Sequence, residues 1–173
     1  VASVNASSGA VTGLSAGTSI MTYTVTGSGG CADATAPRPV NVPAEPHAGT
    51  LSGTQAICTG GSTTFSSSVS GGVWSSANGA IASVNSSTGV IGGLSAGTTT
   101  ITYTVAGTGG CADATATRTV TVTAAPSAGT LSGTQAICVG GSTTFSATVA
   151  GGSWSSGTPS VATINASTGA ISG

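Results

Sequence analysis

The sequence predicts an all-β protein, a tandem array of antiparallel β-sandwich domains with about seven short strands in each and one domain every 80 residues. Three observations predict it. VASVNASSGAVTG (Val1–Gly13) returns as IASVNSSTGVIGG from Ile81 and as VATINASTGAISG from Val161. The pairs Tyr23 and Tyr103, Cys31 and Cys111, Cys58 and Cys138, Phe65 and Phe145, and Trp74 and Trp154 keep the same spacing of 80, without insertion or deletion. Second, apolar residues alternate with Ser and Thr at a period of two, and no stretch carries the 3.6-residue period of a helix. Third, Gly-, Ser- and Asn-rich breaks punctuate every unit at short intervals. A unit of this length exceeds the roughly 20–45 residues of a solenoid coil and suits a small domain with its own core.

Within one complete unit, strands are expected near 50–57, 62–69, 72–76, 81–85, 89–94, 98–106 and 111–123. In STTFSSSVS, Phe65 and Val69 share a face with Ser67. TTTITYTV puts Ile101, Tyr103 and Val105 on one face and Thr100, Thr102 and Thr104 on the other, and RTVTVTA turns Val120 and Val122 inward while Thr119, Thr121 and Thr123 face out. Turn signals separate the runs: TGGS at Thr59, SGG at Ser70, SSANG at Ser75, NSSTG at Asn85, LSAGT at Leu94 and GTGG at Gly107. Trp74 is the expected core anchor, packed between sheets with Phe65 and Tyr103, and Trp154, Phe145 and Tyr23 hold the same role in the flanking units. Each of these aromatics lies on an alternating apolar face, which favours a core role over a platform for sugars. Pro37 and Pro39 remove N–H groups from one side of the last strand of the first unit, so that strand should be an edge there.

Composition excludes several classes. Charged residues make up 3% of the chain and the formal net charge is −1, while Ser and Thr supply roughly a third of it. Intrinsic disorder combines high charge with few β-branched residues, which is the opposite pattern. Arg38 and Arg118 are the only basic residues besides His47, too few to neutralise a run of phosphates, so no nucleic acid is expected as a partner. No segment approaches the ~18 consecutive apolar residues of a membrane span. The sequence opens in the middle of a repeat, without Met or a signal peptide, and reads as a window on a longer array.

The stretches ICTGGSTTF, WSS and IASVNSSTGVIGGLSAGTTTITYTV resemble the bacterial immunoglobulin-like repeats (group 2) found in tandem in surface adhesins and stalks. The added cysteine-bearing segments, IC-x-GG and GGCADAT, are similar to variants in large secreted repeat proteins. The resemblance implies a seven-strand immunoglobulin-like sandwich with a stalk or adhesin role at the bacterial cell surface, and no reaction. On this reading residues 1–43 are the C-terminal part of one repeat, 44–125 a complete repeat and 126–173 the N-terminal part of a further one. The first linker carries Pro43 and Pro46 against a lone Pro126 in the second, so it should be stiffer.

Two cysteines per unit, outside any zinc-type spacing in an exported-looking Ser/Thr-rich repeat, read as disulfide-bonded. Within a complete unit the pair is Cys58 and Cys111, whose loop of about 50 residues would stabilise the domain by roughly 3–4 kcal/mol when closed. The alternative joins the bottom of one domain to the top hairpin of the next. Either way Cys31 and Cys138 find partners outside this sequence. Three N-x-S sequons, at Asn5, Asn85 and Asn165, recur on one turn, where Asn also suits the turn conformation itself. The outward Thr100, Thr102, Thr104, Thr119, Thr121 and Thr123 are further candidates for attached sugar, of the O-linked kind.

Catalysis has little to stand on. The acids are Asp33, Glu45 and Asp113, the one histidine is His47, and no nucleophile elbow, convergent acid/base pair, phosphate loop or metal set occurs, so no cofactor is implied. The expected function is structural: an extracellular glycoprotein rod, filament or adhesin stalk whose partners are copies of itself, head to tail or laterally, and glycans. Residues 126–173 and 1–45 together hold one complete unit. Subunits that complete each other's split domain are therefore one form of assembly, and a continuous chain is the other. The competing class is a glycan- or ice-binding surface made from the regular threonine rows.

Overall fold

A computed structural model describes the whole chain, residues 1–173. It is all-β without helices, and every strand pairing is antiparallel but one. The chain divides into two compact units, Val1–Ala124 and Ala125–Gly173, so the boundary expected between residues 43 and 44 falls inside the first.

The first unit opens with two hairpins, β1 (Ala2–Val4) with β2 (Val11–Gly13) and β3 (Gly17–Val25) with β4 (Ala34–Val42). Strand β4 has no neighbour but β3, in keeping with the N–H groups that Pro37 and Pro39 lack. There follow β5 (Leu51–Ser52), β6 (Ala56–Cys58), β7 (Ser62–Thr64), β8 (Ser66–Ser67), β9 (Val73–Ser76), β10 (Ala82–Val84), β11 (Val90–Gly93), β12 (Gly97–Val105) and β13 (Ala114–Thr123). They build a four-stranded sheet in the order β6-β13-β12-β9, a three-stranded sheet β10-β11-β7 and the pair β5-β8.

Each expected strand is present, but two are divided, and the division has a cause. Leu51 and Ser52 pair with β8, after which the chain crosses over so that β6 runs parallel to β13 in the other sheet. Gly53 makes that crossing with φ of +126°, and a Cβ there would lie 2.5 Å from the Thr64 carbonyl oxygen and 2.6 Å from the Phe65 ring. The run 62–69 breaks at Phe65, which is 1% exposed and donates its N–H to the Gly89 carbonyl at 3.0 Å. The last strand starts later than 111 because a turn comes first. The Cys111 N–H donates to the Thr108 carbonyl at 3.2 Å, and Asp113 Oδ1 accepts from the Gly107 N–H at 2.9 Å.

Alternation sets the core. In β12 the side chains of Thr99, Ile101 and Tyr103 are buried, and in β13 those of Val120 and Val122 are buried between exposed Thr119, Thr121 and Thr123. They meet Trp74 from β9, Phe65 from the break between β7 and β8, and Ala82 and Ile91 from the three-stranded sheet in one cluster. Each large side chain withdrawn from water there contributes roughly 1.5–3 kcal/mol. The Trp74 and Tyr103 rings lie 4.6 Å apart at a 43° tilt, a favourable geometry for an aromatic pair.

The second unit holds β14 (Leu131–Ser132), β15 (Ser142–Thr144), β16 (Ser146–Ala147), β17 (Thr163–Ile164) and β18 (Ala170–Ser172), arranged as β14-β16 and β15-β18-β17. Phe145 and Trp154 are half-buried with ring centroids 6.3 Å apart. Tyr23 departs from its expected core role. It is 73% exposed, because no strand lies against β3 other than β4 and the face that Tyr103 buries in the complete copy stays open here.

Candidate functional site

The surface with the most regular chemistry is the outward face of β12 and β13. Because the core takes Ile101, Tyr103, Val120 and Val122, the register sets the intervening residues opposite one another as four threonine pairs: Thr98 with Thr121, Thr100 with Thr119, Thr102 with Thr117 and Thr104 with Thr115. Neighbouring pairs repeat about every 6.7 Å along the strands, which lie about 4.8 Å apart. Local bonds occupy one end of this ladder. The Thr98 and Thr121 hydroxyls are 3.3 Å apart, Gln55 Nε2 donates to Thr119 Oγ1 at 3.1 Å, and Thr123 Oγ1 donates to the Ile57 carbonyl at 3.3 Å. Thr100, Thr102 and Thr104 are half-buried on the same face.

The three sequon asparagines occupy one local structure in three copies. Asn85 Oδ1 accepts from the N–H groups of Ser87 at 3.0 Å and Thr88 at 2.9 Å, as Asn5 does from Ser7 and Ser8 and Asn165 from Ser167 and Thr168. The amide oxygen thus stands in for a backbone acceptor and closes the turn, which accounts for Asn at these positions without any sugar. All three residues are exposed.

The cysteines correct one expectation. All four are free thiols, and Cys58 and Cys111 do not meet. Cys58 pairs with Thr123 at the far end of β13, whereas Cys111 precedes Ala114 at its near end. The nine steps between span roughly 30 Å, against the ~7 Å limit between the α-carbons of a disulfide. The hairpin that carries Cys111 lies instead beside the linker: a Cβ on Gly109 would be 2.8 Å from Pro43 Cγ.

Two polar anchors, whose hydrogen-bond partners the sequence did not indicate, hold the complete copy together. Arg118 donates through Nη1 to the Leu51 carbonyl at 3.1 Å and through Nη2 to the Gly53 carbonyl at 2.9 Å, with its guanidinium 5.5 Å from the Phe65 ring centre. It fastens the β5–β6 crossing to β13. Tyr103 donates its hydroxyl proton to the Val69 carbonyl at 2.9 Å and accepts from the Gly72 N–H at 2.7 Å, which secures the loop ahead of β9. The signal for Arg118 was present: a lone arginine recurs at one strand position, as Arg38 and Arg118, in a chain almost without charge.

The acids are structural where they are engaged. Asp33 Oδ1 accepts from the Gly27 N–H at 2.9 Å, as Asp113 does from Gly107, while Glu45 and His47 are exposed in the linker. No three His, Cys, Asp or Glu residues come together as a metal set, and no helix is long and apolar enough to cross a membrane. No protein-family model matches the chain, and no curated protein shows significant similarity to it.

Proposed function

We propose that the chain is a load-bearing segment of an extracellular bacterial fibre or adhesin stalk, built from immunoglobulin-like sandwich modules that carry O-linked sugar on their threonine faces. The observation that carries the reading is the ladder of four threonine pairs backed by a closed apolar core, in a chain where 3% of residues are charged. A surface so poor in charge needs another means of staying solvated, and hydroxyls are both hydrated and the attachment atoms of O-linked sugar. Strand order supports the module type. The sheets β6-β13-β12-β9 and β10-β11-β7, with the separate pair β5-β8, are compatible with the strand order of an immunoglobulin sandwich.

The polar positions of the thiols support bridges between successive modules, formed by exchange with a disulfide oxidant that takes up the two electrons. Electron microscopy of native material tests the fibre, and intact mass tests the coat. Native chains whose intact mass matches that of their bare polypeptide would remove the glycan, and compact isolated particles would remove the fibre. The same ladder favours a second reading, a regular hydroxyl array that binds ice or glycans directly, and ice-affinity and glycan-array binding by the unmodified chain separate the two.

A further inference from the structure

We propose that Asn78 and Gly79 form a site of spontaneous self-modification, at which the Gly79 amide nitrogen closes on the Asn78 side chain, ammonia leaves, and water opens the resulting imide to aspartate or isoaspartate. The chain has five asparagines, and Asn78 alone precedes a glycine. Asn5 and Asn165 precede alanine, Asn85 precedes serine, and Asn41 precedes the β-branched Val42. A side chain on the following residue crowds the nitrogen that must attack, and glycine has none. Asn78 and Gly79 are both exposed, on the connection between β9 and β10. A Cβ built on Gly79 would meet nothing within 4 Å, and the Gly79 N–H donates to no acceptor in the protein.

Hydrogen bonding readies the other partner. Asn78 Oδ1 accepts from the Ala80 N–H at 3.0 Å. That bond draws electrons away from Cγ and steadies the negative charge that the oxygen gains when nitrogen adds. Attack by the next residue of the same chain has the further advantage of proximity. The steps balance with water as the only co-reactant. The Gly79 nitrogen loses its proton and bonds to Cγ, the Cγ–Nδ2 bond breaks with release of ammonia, and water adds to one of the two imide carbonyls. Opening at Cγ leaves aspartate at position 78. Opening at the backbone carbonyl carbon leaves isoaspartate, with the main chain running through Cγ and one atom longer.

The turn itself does not require this pair of residues. The same positions 80 residues on are Thr158 and Pro159, where the Thr158 carbonyl accepts from the N–H groups of Val161 at 3.0 Å and Ala162 at 3.3 Å, as the Asn78 carbonyl accepts from those of Ile81 and Ala82, both at 3.2 Å. The reactive pair is therefore chemistry laid on a turn that forms without it. Asn78 is also tied to the core. Its N–H donates at 2.9 Å to Oγ1 of the buried Thr99, and Ala82, which its carbonyl holds, is 0% exposed. Isoaspartate takes that carbonyl out of the main chain and lengthens the path to β10, so the entry to that strand loosens, whereas aspartate keeps the path. Either product adds one negative charge to a chain whose formal net charge is −1, and so changes how a nearly uncharged surface associates.

Incubation of the purified chain at mildly alkaline pH, followed by peptide mapping with mass spectrometry, tests the site. The expected result is a gain of about 1 Da at position 78. It should proceed on the order of tenfold faster than at Asn85 in the same molecule, and faster as pH rises, because the attacking nitrogen must shed its proton. Hydroxylamine, which opens the imide, should cleave the chain between residues 78 and 79. Gly79→Ala places a methyl group in open space at a φ outside the left-handed region, so the variant folds, and it should slow the gain about tenfold. Asn78→Thr combined with Gly79→Pro, the pair found 80 residues on, should abolish it. Asn78→Asp separates charge from backbone: it should melt with the fresh chain, and the isolated isoaspartate form should melt below both. Conversion at Asn78 no faster than at Asn85 overturns the proposal, as does a Gly79→Ala variant that converts at the original rate. An isoaspartate form as stable as the fresh chain overturns the effect on β10.

Discussion

Removing the Tyr103 hydroxyl is the most direct trial of how the complete copy is held together. Tyr103→Phe leaves the ring against Trp74 and deletes one oxygen that donates to the Val69 carbonyl at 2.9 Å and accepts from the Gly72 N–H at 2.7 Å. Each bond contributes about 1 kcal/mol, and both orphaned groups are half-buried, so water restores part of the loss and the expected cost is about 2 kcal/mol. For a domain of this size that corresponds to a fall in Tm of roughly 8–16 °C. Urea unfolding followed by tryptophan fluorescence in a Trp154→Phe background isolates Trp74 as the reporter. Tyr23→Phe supplies the control, because the same residue at the same repeat position is 73% exposed and should change stability by no more than about 0.5 kcal/mol. Equal costs at the two tyrosines, or a cost below about 0.5 kcal/mol at Tyr103, would refute the reasoning.

Gly53→Ala should destabilise the same unit by about 3 kcal/mol in that assay, since alanine must adopt φ of +126° with its Cβ against the Thr64 carbonyl; an unchanged midpoint would mean that the crossing does not depend on this conformation. Arg118→Ala removes two charge-assisted bonds and the contact over Phe65, for an expected loss of about 3 kcal/mol, part of it screened because the side chain is half-exposed. Asn85→Ala should cost about 1 kcal/mol and Asn85→Asp almost nothing, because a carboxylate still accepts from Ser87 and Thr88. Mass spectrometry after thiol alkylation of the dilute, unreduced chain should count four modified cysteines, and recovery of a Cys58–Cys111 peptide would contradict the strand register.

Much of the fold was legible because period-two alternation depends on local sequence alone. The faces of β12 and β13 are those that TTTITYTV and RTVTVTA imply, with Ile101, Tyr103, Val120 and Val122 inward. Residue 53 shows the limit. Leu51 and Ile57 keep one parity across 50–57, and the single Gly53 between them does not say that Leu51 and Ala56 pair in different sheets; that choice is made by Phe65 and β13, which are distant in sequence. The cysteines show the same limit more sharply. Spacing permits a loop between Cys58 and Cys111, yet parallel pairing of β6 with β13 sends them to opposite ends. Arg118 was hard to read because its partners are the backbone carbonyls of Leu51 and Gly53, and carbonyls leave no trace in residue type.

The exposed edges carry a consequence for the whole chain. Unpaired strand edges seek partners, and proteins usually guard them with charge, proline or cover. Here the charged residues number five, so that guard is nearly absent. Pro37 and Pro39 lie on β4, while the outer edge of β3 and the segments Ala136–Cys138 and Ser153–Ser156 bear neither proline nor charge. Within 44–124 the same sequences bury those edges in each other, with Tyr103 on Trp74 and β13 against β6. In 44–124 the protection of these edges thus comes from the same repeat, whose β12–β13 hairpin is seated between β6 and β9. The hydroxylated sheet faces take no part in that closure, because the threonines point away from the edges that pair.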